Sequence, residues 1–299
     1  MKFDKQKHLV SIIAPASACG DSEVKLAEGI KLLENYGLKT IVDKRIFSYD
    51  SLDFFASSKE IRLETFAKAL INENVKIIWA FRGGYGCSEF IDDCLDIKPV
   101  GTKILIGYSD LTSFHILFNQ HYNMPSIHGS VITSLLPSGQ GQDINYIIDV
   151  LDGKEMQIDL QPITSHFNNS IIGKTIGGNL TIICTMIGTK LHPKTNKKIL
   201  ILEDVNEKGY HIHRHLMHLK NAGIFDELNA VIFGDFIKGD HLIDSAIEHF
   251  CYNHIKHIPS YKASNIGHGK VNYPIILGNI AKIQANKLII PSNFSLSSI

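Results

Sequence analysis

The sequence predicts an α/β fold built on a parallel sheet that helices cover on both faces. Short apolar runs such as residues 75–81 have the length of strands and no polar face. Segments of helical period separate them, and in residues 22–36 the apolar stripe is Leu26, Ile30 and Leu33. Doubly buried strands that alternate with amphipathic helices are typical of a covered parallel sheet.

The composition is that of an ordinary globular protein. The chain has 299 residues, of which 44% are hydrophobic and 20% are charged. A chain of this length buries roughly 75% of the surface that its unfolded form exposes. That is enough for one large domain or two of medium size, and wholesale disorder is excluded.

The elements of the first half follow in order. Residues 9–15 are apolar and rich in β-branched side chains, which predicts a first buried strand. The helix over 22–36 is expected to stop at Gly37. The remaining predicted elements of this half are a strand at 40–42, part of a helix at 63–71, strands at 75–81 and 103–106, and a helix at 112–122.

The pattern loosens between residues 137 and 173, which predicts a crossing between two domains. Residues 137–142 are turn formers, and only 146–151 has helical period. We therefore divide the chain into a domain at 1–140, a linker region at 141–172 and a C-terminal domain at 173–299. After an apolar segment at 180–187, the second half is predicted to contain strands at 198–202 and 230–233, helices at 212–222 and 243–252, and two short β-like runs within 275–290.

The charge balance argues against two classes of partner. Lys and Arg number 30, as do Asp and Glu, so neither nucleic acid nor an anionic membrane surface is expected to bind. No apolar run approaches the roughly 20 residues that span a bilayer. Residues 16–19 resemble a lipoprotein cleavage site only faintly, because the apolar run before Pro15 is too short for a leader.

The cysteines predict a reducing compartment. They are odd in number, scattered, and without C-x-x-C spacing, which favours free thiols and a cytoplasmic protein. The five cysteines are Cys19, Cys87, Cys94, Cys184 and Cys251.

A glycine-rich segment, Arg82-Gly83-Gly84-Tyr85-Gly86, directly follows the predicted strand 75–81. Ligands of open α/β sheets bind at the carboxyl ends of strands, where glycines let backbone N–H groups approach an anion. Two interpretations remain open for this segment alone, an anion or oxyanion cradle and a tight turn.

A serine, Ser109, follows the next strand in the sequence Gly107-Tyr108-Ser109-Asp110. A serine on a sharp strand-to-helix turn has the geometry of an exposed nucleophile. The G-x-S-x-G pattern is not met, because Leu111 takes the place of its last glycine. The alternative is that Ser109 or Asp110 only caps the following helix.

A serine nucleophile needs a base and an orienting carboxylate. His268, between two glycines, is the best placed of fifteen histidines, and Glu203 and Asp204 end an apolar strand. A surface-loop histidine and a solvated acidic loop are the alternatives. His211, His215 and His218 share a helical face without the H-E-x-x-H pattern, so we interpret this face as polar and expect no metal.

Taken together, these segments resemble the LD-carboxypeptidase family of serine peptidases, the muramoyl-tetrapeptide carboxypeptidases, which includes the microcin-C immunity-type peptidases. The segments are weak singly and specific jointly, and they run in family order over nearly the whole chain. They are I-A-P-A-S at 13–17, R-G-G-Y-G at 82–86, G-Y-S-D at 107–110, G-G-N-L at 177–180, L-E-D-V-N-E at 202–207, A-G at 222–223, G-D-F at 234–236 and G-H-G at 267–269.

The resemblance implies a triad of Ser109 as nucleophile, Glu203 as orienting carboxylate and His268 as general base. It also implies an oxyanion hole made by the backbone N–H groups of Gly84 and Asp110. The family fold is a flavodoxin-like N-terminal domain that carries the serine and a smaller C-terminal α/β domain that carries the acid and base. A cleft is then expected where the two domains meet.

The implied activity is removal of the terminal D-alanine from a murein tetrapeptide during peptidoglycan recycling. Gly83 and Tyr85 are expected to contact this muropeptide. The resemblance also implies that the enzyme needs no cofactor and that it forms a homodimer. The sequence departs from the family at two places outside the triad, where His213 replaces a common acid and Lys270 a common proline.

Three other functions stay open as hypotheses. A microcin-C immunity-type amidase would need a tryptophan to stack on a nucleotide, whereas Trp79 lies in a predicted buried strand and the loop 164–171 has only Phe167. A non-catalytic anion-binding module would use the glycine-rich turn. A zinc hydrolase would use the histidine face.

Overall fold

The computed structural model of the protein describes residues 2–5, 7–48, 52–164 and 170–297. Phe167, which bore on the nucleotide-stacking hypothesis, lies outside the described residues. The described part of the chain folds into two large sheets with helices packed on them, together with a short parallel pair of strands from the two chain ends.

The strands of the described residues divide among these three sheets. They are β1 (Lys2–Asp4), β2 (Leu9–Ile13), β3 (Lys39–Val42), β4 (Val75–Ala80), β5 (Ile104–Gly107), β6 (Ser126–His128), β7 (Met156–Asp159), β8 (Gln161–Pro162), β9 (Ile171–Asn179), β10 (Lys198–Val205), β11 (Ala230–Ile237), β12 (Ser260–Lys262), β13 (Ile275–Leu277), β14 (Ile280–Gln284), β15 (Lys287–Ile290) and β16 (Ser295–Ser297).

The α-helices of the described residues are α1 (Ser22–Asn35), α2 (Lys59–Ile71), α3 (Thr112–Ile116), α4 (Ile132–Leu135), α5 (Asn145–Leu151), α6 (Leu180–Thr185), α7 (Gly209–Asn221) and α8 (Ile243–His254). As expected, α1 ends just before Gly37, which takes a φ of 72° and donates its N–H to the Glu34 carbonyl. The helix expected over 112–122 is α3 followed by a π-helical turn at Leu117–His121. Short 3₁₀ turns occur at Cys87–Glu89, Asp93–Asp96 and Ser109–Leu111.

The first sheet has the strand order β13-β6-β5-β4-β2-β3. Its five parallel strands, numbered along the chain, run in the order 2-1-3-4-5, which is the flavodoxin-like arrangement. The neighbouring strands β4 and β5 pair Trp79 with Ile106, so the glycine-rich turn and the Ser109 turn leave the same edge side by side. The sequence pattern predicted a parallel sheet, and this sheet has the flavodoxin-like order that the family resemblance implied for the N-terminal domain.

The edge strand β13 comes from the far end of the chain and pairs antiparallel with β6. The next strand, β14, returns to the second sheet, where it pairs with β9. The first sheet is thus completed by a strand that lies, in sequence, between β12 and β14 of the second sheet. The periodicity of residues 275–290 indicated β-structure but contained no information on which sheet the strands join.

The second sheet has the order β7-β15-β14-β9-β10-β11-β12-β8, with four parallel strands, β9 to β12, at its centre. The stretch 141–172, expected to be a linker region, contains α5 and the strands β7 and β8 of this sheet. The chain therefore enters the second sheet earlier than the loosened pattern indicated. The division at 140 and 172 stays a prediction.

The strand β10 extends three residues beyond the predicted 198–202 and carries Glu203 and Asp204 within it. Both carboxylates are buried, at 0% and 3% exposure. The predicted strand stops at Leu202, before the first acid, and charged residues are rarely buried unless they are paired. Here the acids are buried because each has partners, described below.

Large apolar side chains fill the layers on either side of the first sheet. The ring of Phe66 on α2 stacks on Phe114 of α3 with centroids 4.5 Å apart, and both are fully buried. Burying one such ring contributes about 2–3 kcal/mol. None of the helices in the described ranges is long and apolar enough to cross a membrane. All five cysteines are free thiols, as the sequence predicted.

Candidate active site

Ser109 occupies a left-handed turn directly after β5. Its φ is 64°, a conformation that non-glycine residues rarely adopt, while Tyr108 before it is extended. The sharp turn predicted from G-Y-S-D is therefore present, and it leads through a 3₁₀ turn into α3. Such a turn holds a serine hydroxyl at the tip of a strand and away from the sheet.

The glycine-rich turn packs directly on Ser109. A Cβ at Gly83 would come within 2.8 Å of the Ser109 Cβ, so only glycine permits this approach. Gly84 has a φ of 108°, and a Cβ there would meet the Ser17 Oγ at 2.4 Å. The Ser17 hydroxyl in turn accepts the Tyr85 N–H at 3.1 Å. Tyr85, within the turn, is 52% exposed.

Asp110 joins the two turns. Its carboxylate is buried and accepts the Cys87 N–H at 2.8 Å. Burial raises the pKa of Asp110, against the lowering effect of its hydrogen bonds from Cys87. Among the described residues, no hydrogen-bond acceptor takes the backbone N–H of Gly84 or of Asp110. Within the described ranges, both N–H groups therefore have no acceptor in the protein itself.

A buried arginine, Arg62 of α2, supports the glycine-rich turn from below. Its guanidinium donates to the carbonyls of Gly86 at 2.8 Å and Pro15 at 3.2 Å, and it pairs with Glu89. A guanidinium presents five N–H donors in a rigid plane, so it can bind several carbonyl groups that converge on it. Sequence reasoning missed Arg62, because nothing in its helical spacing distinguishes a buried arginine from a surface one.

Glu203 and His268 form a hydrogen-bonded pair. The Nδ1 of His268 lies 2.7 Å from the Glu203 Oε2, and the carboxylate is fully buried. Gly267 has a φ of 121°, and a Cβ there would lie 2.5 Å from the same oxygen. The glycine before His268 thus lets the loop pass close over β10. The sequence singled out His268 by its two flanking glycines, but it contained no sign of this close approach to Glu203.

The charges of the pair stabilise each other. Burial alone would raise the pKa of Glu203, but the positive charge of His268 and the contacts of two imidazoles lower it to about 2. Burial lowers the pKa of His268, whereas the charge of Glu203 and its hydrogen bond raise it, and the net shift is upward. Glu203 is therefore ionised at neutral pH, with its charge directed at the imidazole.

A second imidazole, that of His128, faces Glu203 from the first sheet. Its Nε2 lies 3.5 Å from the Glu203 Oε1, and His128 is only 2% exposed. His128 ends β6, in register with Gly107 of β5, so it comes from the same sheet edge as Ser109. Sequence reasoning missed His128. The available signal was a histidine at the end of an apolar run, at the edge where the other candidates lie.

Tyr108 connects the Ser109 turn to the His268 loop. The rings of Tyr108 and His268 are 4.6 Å apart, and the Tyr108 hydroxyl contacts Ser134 at 2.9 Å and Gln140 at 3.1 Å. The Gln140 amide donates to the His268 carbonyl at 2.8 Å. We call the parts built on the first and second sheets the first and second lobe. Residues 137–142, recognised in the sequence only as turn formers, therefore hold the His268 loop against the first lobe.

The junction between the lobes is polar and close-packed. The Thr112 hydroxyl accepts the Asn179 N–H at 2.9 Å, and a Cβ at Gly178 would meet that hydroxyl at 2.4 Å. Asp204 accepts the Asn179 amide at 2.8 Å and the Thr181 hydroxyl at 2.8 Å. Asp204 thus fixes the start of α6, while its neighbour Glu203 points to the histidines.

A cavity of about 580 Å³ opens beside the His268 loop, at the carboxyl ends of β11 and β12. Asp235 lines it and accepts the Asn265 N–H at 3.1 Å. Lys262 and Tyr273 also line it, so its wall is largely polar. The cleft was expected at the junction of the lobes, whereas the lining of this cavity comes from the second lobe.

Two family descriptions match this chain. The LD-carboxypeptidase N-terminal domain matches residues 10–129, and the LD-carboxypeptidase C-terminal domain matches residues 172–283. A Rickettsia conorii protein whose name places it among the carboxypeptidases is 36% identical over 285 residues, covering 93% of this chain and 88% of its own. The murein tetrapeptide carboxypeptidase of Pseudomonas aeruginosa is 28% identical over 295 residues, covering 93% and 94% of the two chains.

Solved structures show the same architecture. The muramoyltetrapeptide carboxypeptidase of Oxalobacter formigenes superposes with a TM-score of 0.81 at 25% identity, over 95% of this chain and 99% of its own. An MccF-like protein of Bacillus anthracis has a TM-score of 0.82 at 19% identity, over 98% and 100% of the two chains. The second likeness concerns the fold alone.

Proposed function

The chain belongs to the LD-carboxypeptidase family, and from this premise we propose that it is a serine carboxypeptidase that releases terminal D-alanine from murein tetrapeptides. The bond cut would join an L-configured centre to the D-residue. One observation carries the proposal. The His268 imidazole, held by Glu203 at 2.7 Å, packs on the ring of Tyr108, the residue before Ser109 in its left-handed turn.

In the first step, the Ser109 Oγ attacks the carbonyl carbon of the scissile bond. The His268 Nδ1 is engaged by Glu203, so the Nε2 is the ring nitrogen that takes the serine proton. The carbonyl oxygen becomes an oxyanion between the N–H groups of Gly84 and Asp110. Each such donor lowers the barrier by roughly 3–4 kcal/mol.

In the second step, the C–N bond breaks and the His268 imidazolium gives its proton to the leaving amine of D-alanine. An ester to Ser109 remains. Water then attacks the ester carbonyl and His268 takes the water proton. The C–O bond to Ser109 breaks, the shortened peptide leaves with a new carboxyl group, and His268 returns the proton to the Ser109 oxygen. The ionised Glu203 stabilises the imidazolium in both steps.

The test is a substrate panel read by mass spectrometry. We expect the purified protein to release alanine from a murein tetrapeptide that ends in D-alanine. The matched control is the same peptide ending in L-alanine, which should stay intact. Crosslinked muropeptides and an aminoacyl-nucleotide complete the panel. If only the aminoacyl-nucleotide is cleaved, the amidase hypothesis replaces the carboxypeptidase hypothesis. If no member of the panel is cleaved, the non-catalytic anion-binding module is favoured.

The carboxypeptidase is favoured over the nucleotide-peptide amidase by the position of Trp79. Its ring is fully buried in β4, and its Nε1–H donates to the Ser130 carbonyl at 2.8 Å. A ring with both faces in the core presents no surface for a base to stack on. Trp79 therefore supplies none of the nucleotide recognition that the amidase needs.

The pair Glu203 and His268 predicts the pH dependence. A negative charge beside an imidazole stabilises its protonated form, so Glu203 raises the pKa of His268. The acid limb, which is the fall of kcat/KM at low pH, should therefore have its midpoint above the ordinary histidine value of 6.5. Since the base must be neutral, activity falls as the pH drops through this pKa. In Glu203→Gln the charge is lost, so the limb should move to lower pH, and kcat should fall by roughly 10³–10⁴-fold.

A pH–rate profile of both proteins checks this prediction. Glu28→Gln, on the exposed side of α1, serves as the matched control and should keep the parent profile. An acid limb that stays in place or moves upward in Glu203→Gln would show that Glu203 does not hold the base.

The compartment and assembly belong to the same proposal. Five free thiols support a reducing compartment, and hence the cytoplasm, where murein fragments would be recycled. The homodimer implied by the family resemblance stays a prediction.

A further inference from the structure

Three histidines outside the active site meet where α7 packs against α8. His213 lies on α7, and His249 and His254 lie on α8. One ring nitrogen from each is within 4.8 Å of the other two. The ring centroids are 5.5 Å apart for His213 and His249, 6.0 Å for His213 and His254, and 6.3 Å for His249 and His254. The three rings therefore form a nearly equilateral triangle.

This triangle has almost the size of a tetrahedral zinc site. Three imidazoles bound at 2.0–2.1 Å place their ring centroids about 5 Å apart. The observed triangle is wider by only about 1 Å on average, which small side-chain rotations would close. We propose that His213, His249 and His254 bind a divalent cation of the zinc type. Imidazole nitrogen is a good ligand for Zn²⁺, Cu²⁺ and Ni²⁺, whereas Mg²⁺ and Ca²⁺ prefer oxygen ligands.

The surroundings preorganise two of the rings and leave the third accessible. His213 and His254 are partly buried and pack against the fully buried Phe250, with centroids 6.4 and 5.6 Å away. His249 is exposed, so a cation can enter from solvent. Three protein ligands leave the fourth position to water. Because His254 is the last residue of α8, the bound ion would fasten the end of that helix to α7.

This cluster differs from the histidine face that the sequence analysis considered. On that face His211 is engaged by Glu207, with an Nδ1 to Oε2 distance of 2.8 Å. The cluster also shares no residue with the triad, so its ion would act on the stability of the helix pair and not on peptide cleavage. The sequence led us to expect no metal, and this proposal departs from that expectation at this place in the fold.

The test is Zn²⁺ binding to the full-length protein after removal of metal with a chelator. Equilibrium dialysis against ZnCl₂ with metal analysis should find about one ion per chain, and Zn²⁺ should raise the Tm. Loss of a residue that only hydrogen-bonds to a metal ligand lowers metal affinity by roughly 10–100-fold. His249→Ala removes a ligand itself, so its Zn²⁺ affinity should fall by at least as much. His249 is exposed, so this variant should fold, and its peptidase rate should equal that of the parent.

Two control variants make the result specific. His257→Ala removes an exposed histidine just beyond α8, and His218→Ala alters the other histidine face of α7. Both should bind Zn²⁺ like the parent. The proposal is overturned if the parent takes up no stoichiometric Zn²⁺, or if His249→Ala binds it as tightly as the parent. It is also overturned if His218→Ala is the variant that loses the ion.

Discussion

Replacing Ser109 with alanine is expected to reduce D-alanine release from a murein tetrapeptide by roughly 10⁵–10⁶-fold, because loss of the nucleophile of a triad removes the acyl-enzyme route. The residual rate would come from the oxyanion donors and from binding. The turn should survive, since alanine removes one oxygen from a residue whose φ of 64° is set by its neighbours. KM should therefore change much less than kcat.

The rate is measured by the release of alanine under steady-state conditions, with Ser245→Ala as the matched control. Ser245 lies on the exposed face of α8 and should leave the rate unchanged. Equal rates for Ser109→Ala and the parent would end the serine mechanism. The anion-binding module would be favoured instead if two results are found together. Ser109→Ala would still bind phosphate, and substitution of Gly83 by a bulky residue would abolish phosphate binding.

Removing the base should cost as much as removing the nucleophile. His268→Ala is expected to lower kcat by roughly 10⁵–10⁶-fold, because an uncharged serine hydroxyl attacks poorly when nothing takes its proton. The double variant of Ser109→Ala and His268→Ala should be no slower than either single variant. Residues that act as one unit are non-additive in this way, whereas independent contributions would multiply.

His257→Ala controls for the loss of an imidazole elsewhere on the surface and should behave as the parent. A double variant that is slower than the singles by the product of their effects would contradict a shared proton transfer between Ser109 and His268. Circular dichroism and Tm of each variant separate a catalytic loss from a folding defect.

The sequence predicted those parts of the molecule that local patterns determine. Residues 75–81 are apolar apart from Lys76, and they form the buried strand β4 within one residue. The turn at Ser109 was readable because a short apolar strand, a glycine and a helix start occur in succession. The same local reasoning proposed Glu203 and His268 separately, while only the family resemblance joined them.

The rest depended on contacts between residues far apart in the chain. Arg62 and Gly86 meet through the packing of α2 on the glycine-rich turn, and no spacing rule encodes that contact. His128 of β6 reaches Glu203 of β10 only because strands of two different sheets come close at this point. Strand β9 was overlooked because Gly177 and Gly178 weaken its pattern, although close packing on Ile201 and Thr112 requires glycine at both places.

The crossing of β13 into the first sheet has a consequence for any attempt to divide the protein. The loop that carries His268 starts from β12 in one sheet and ends at β13 in the other, where Ile275 pairs with His128. A fragment that stops at the family boundary near residue 129 would leave the hydrogen-bonding edge of β6 bare, and bare edges promote aggregation. The two halves are therefore expected to need coexpression for solubility, with fragment complementation restoring nucleophile and base together.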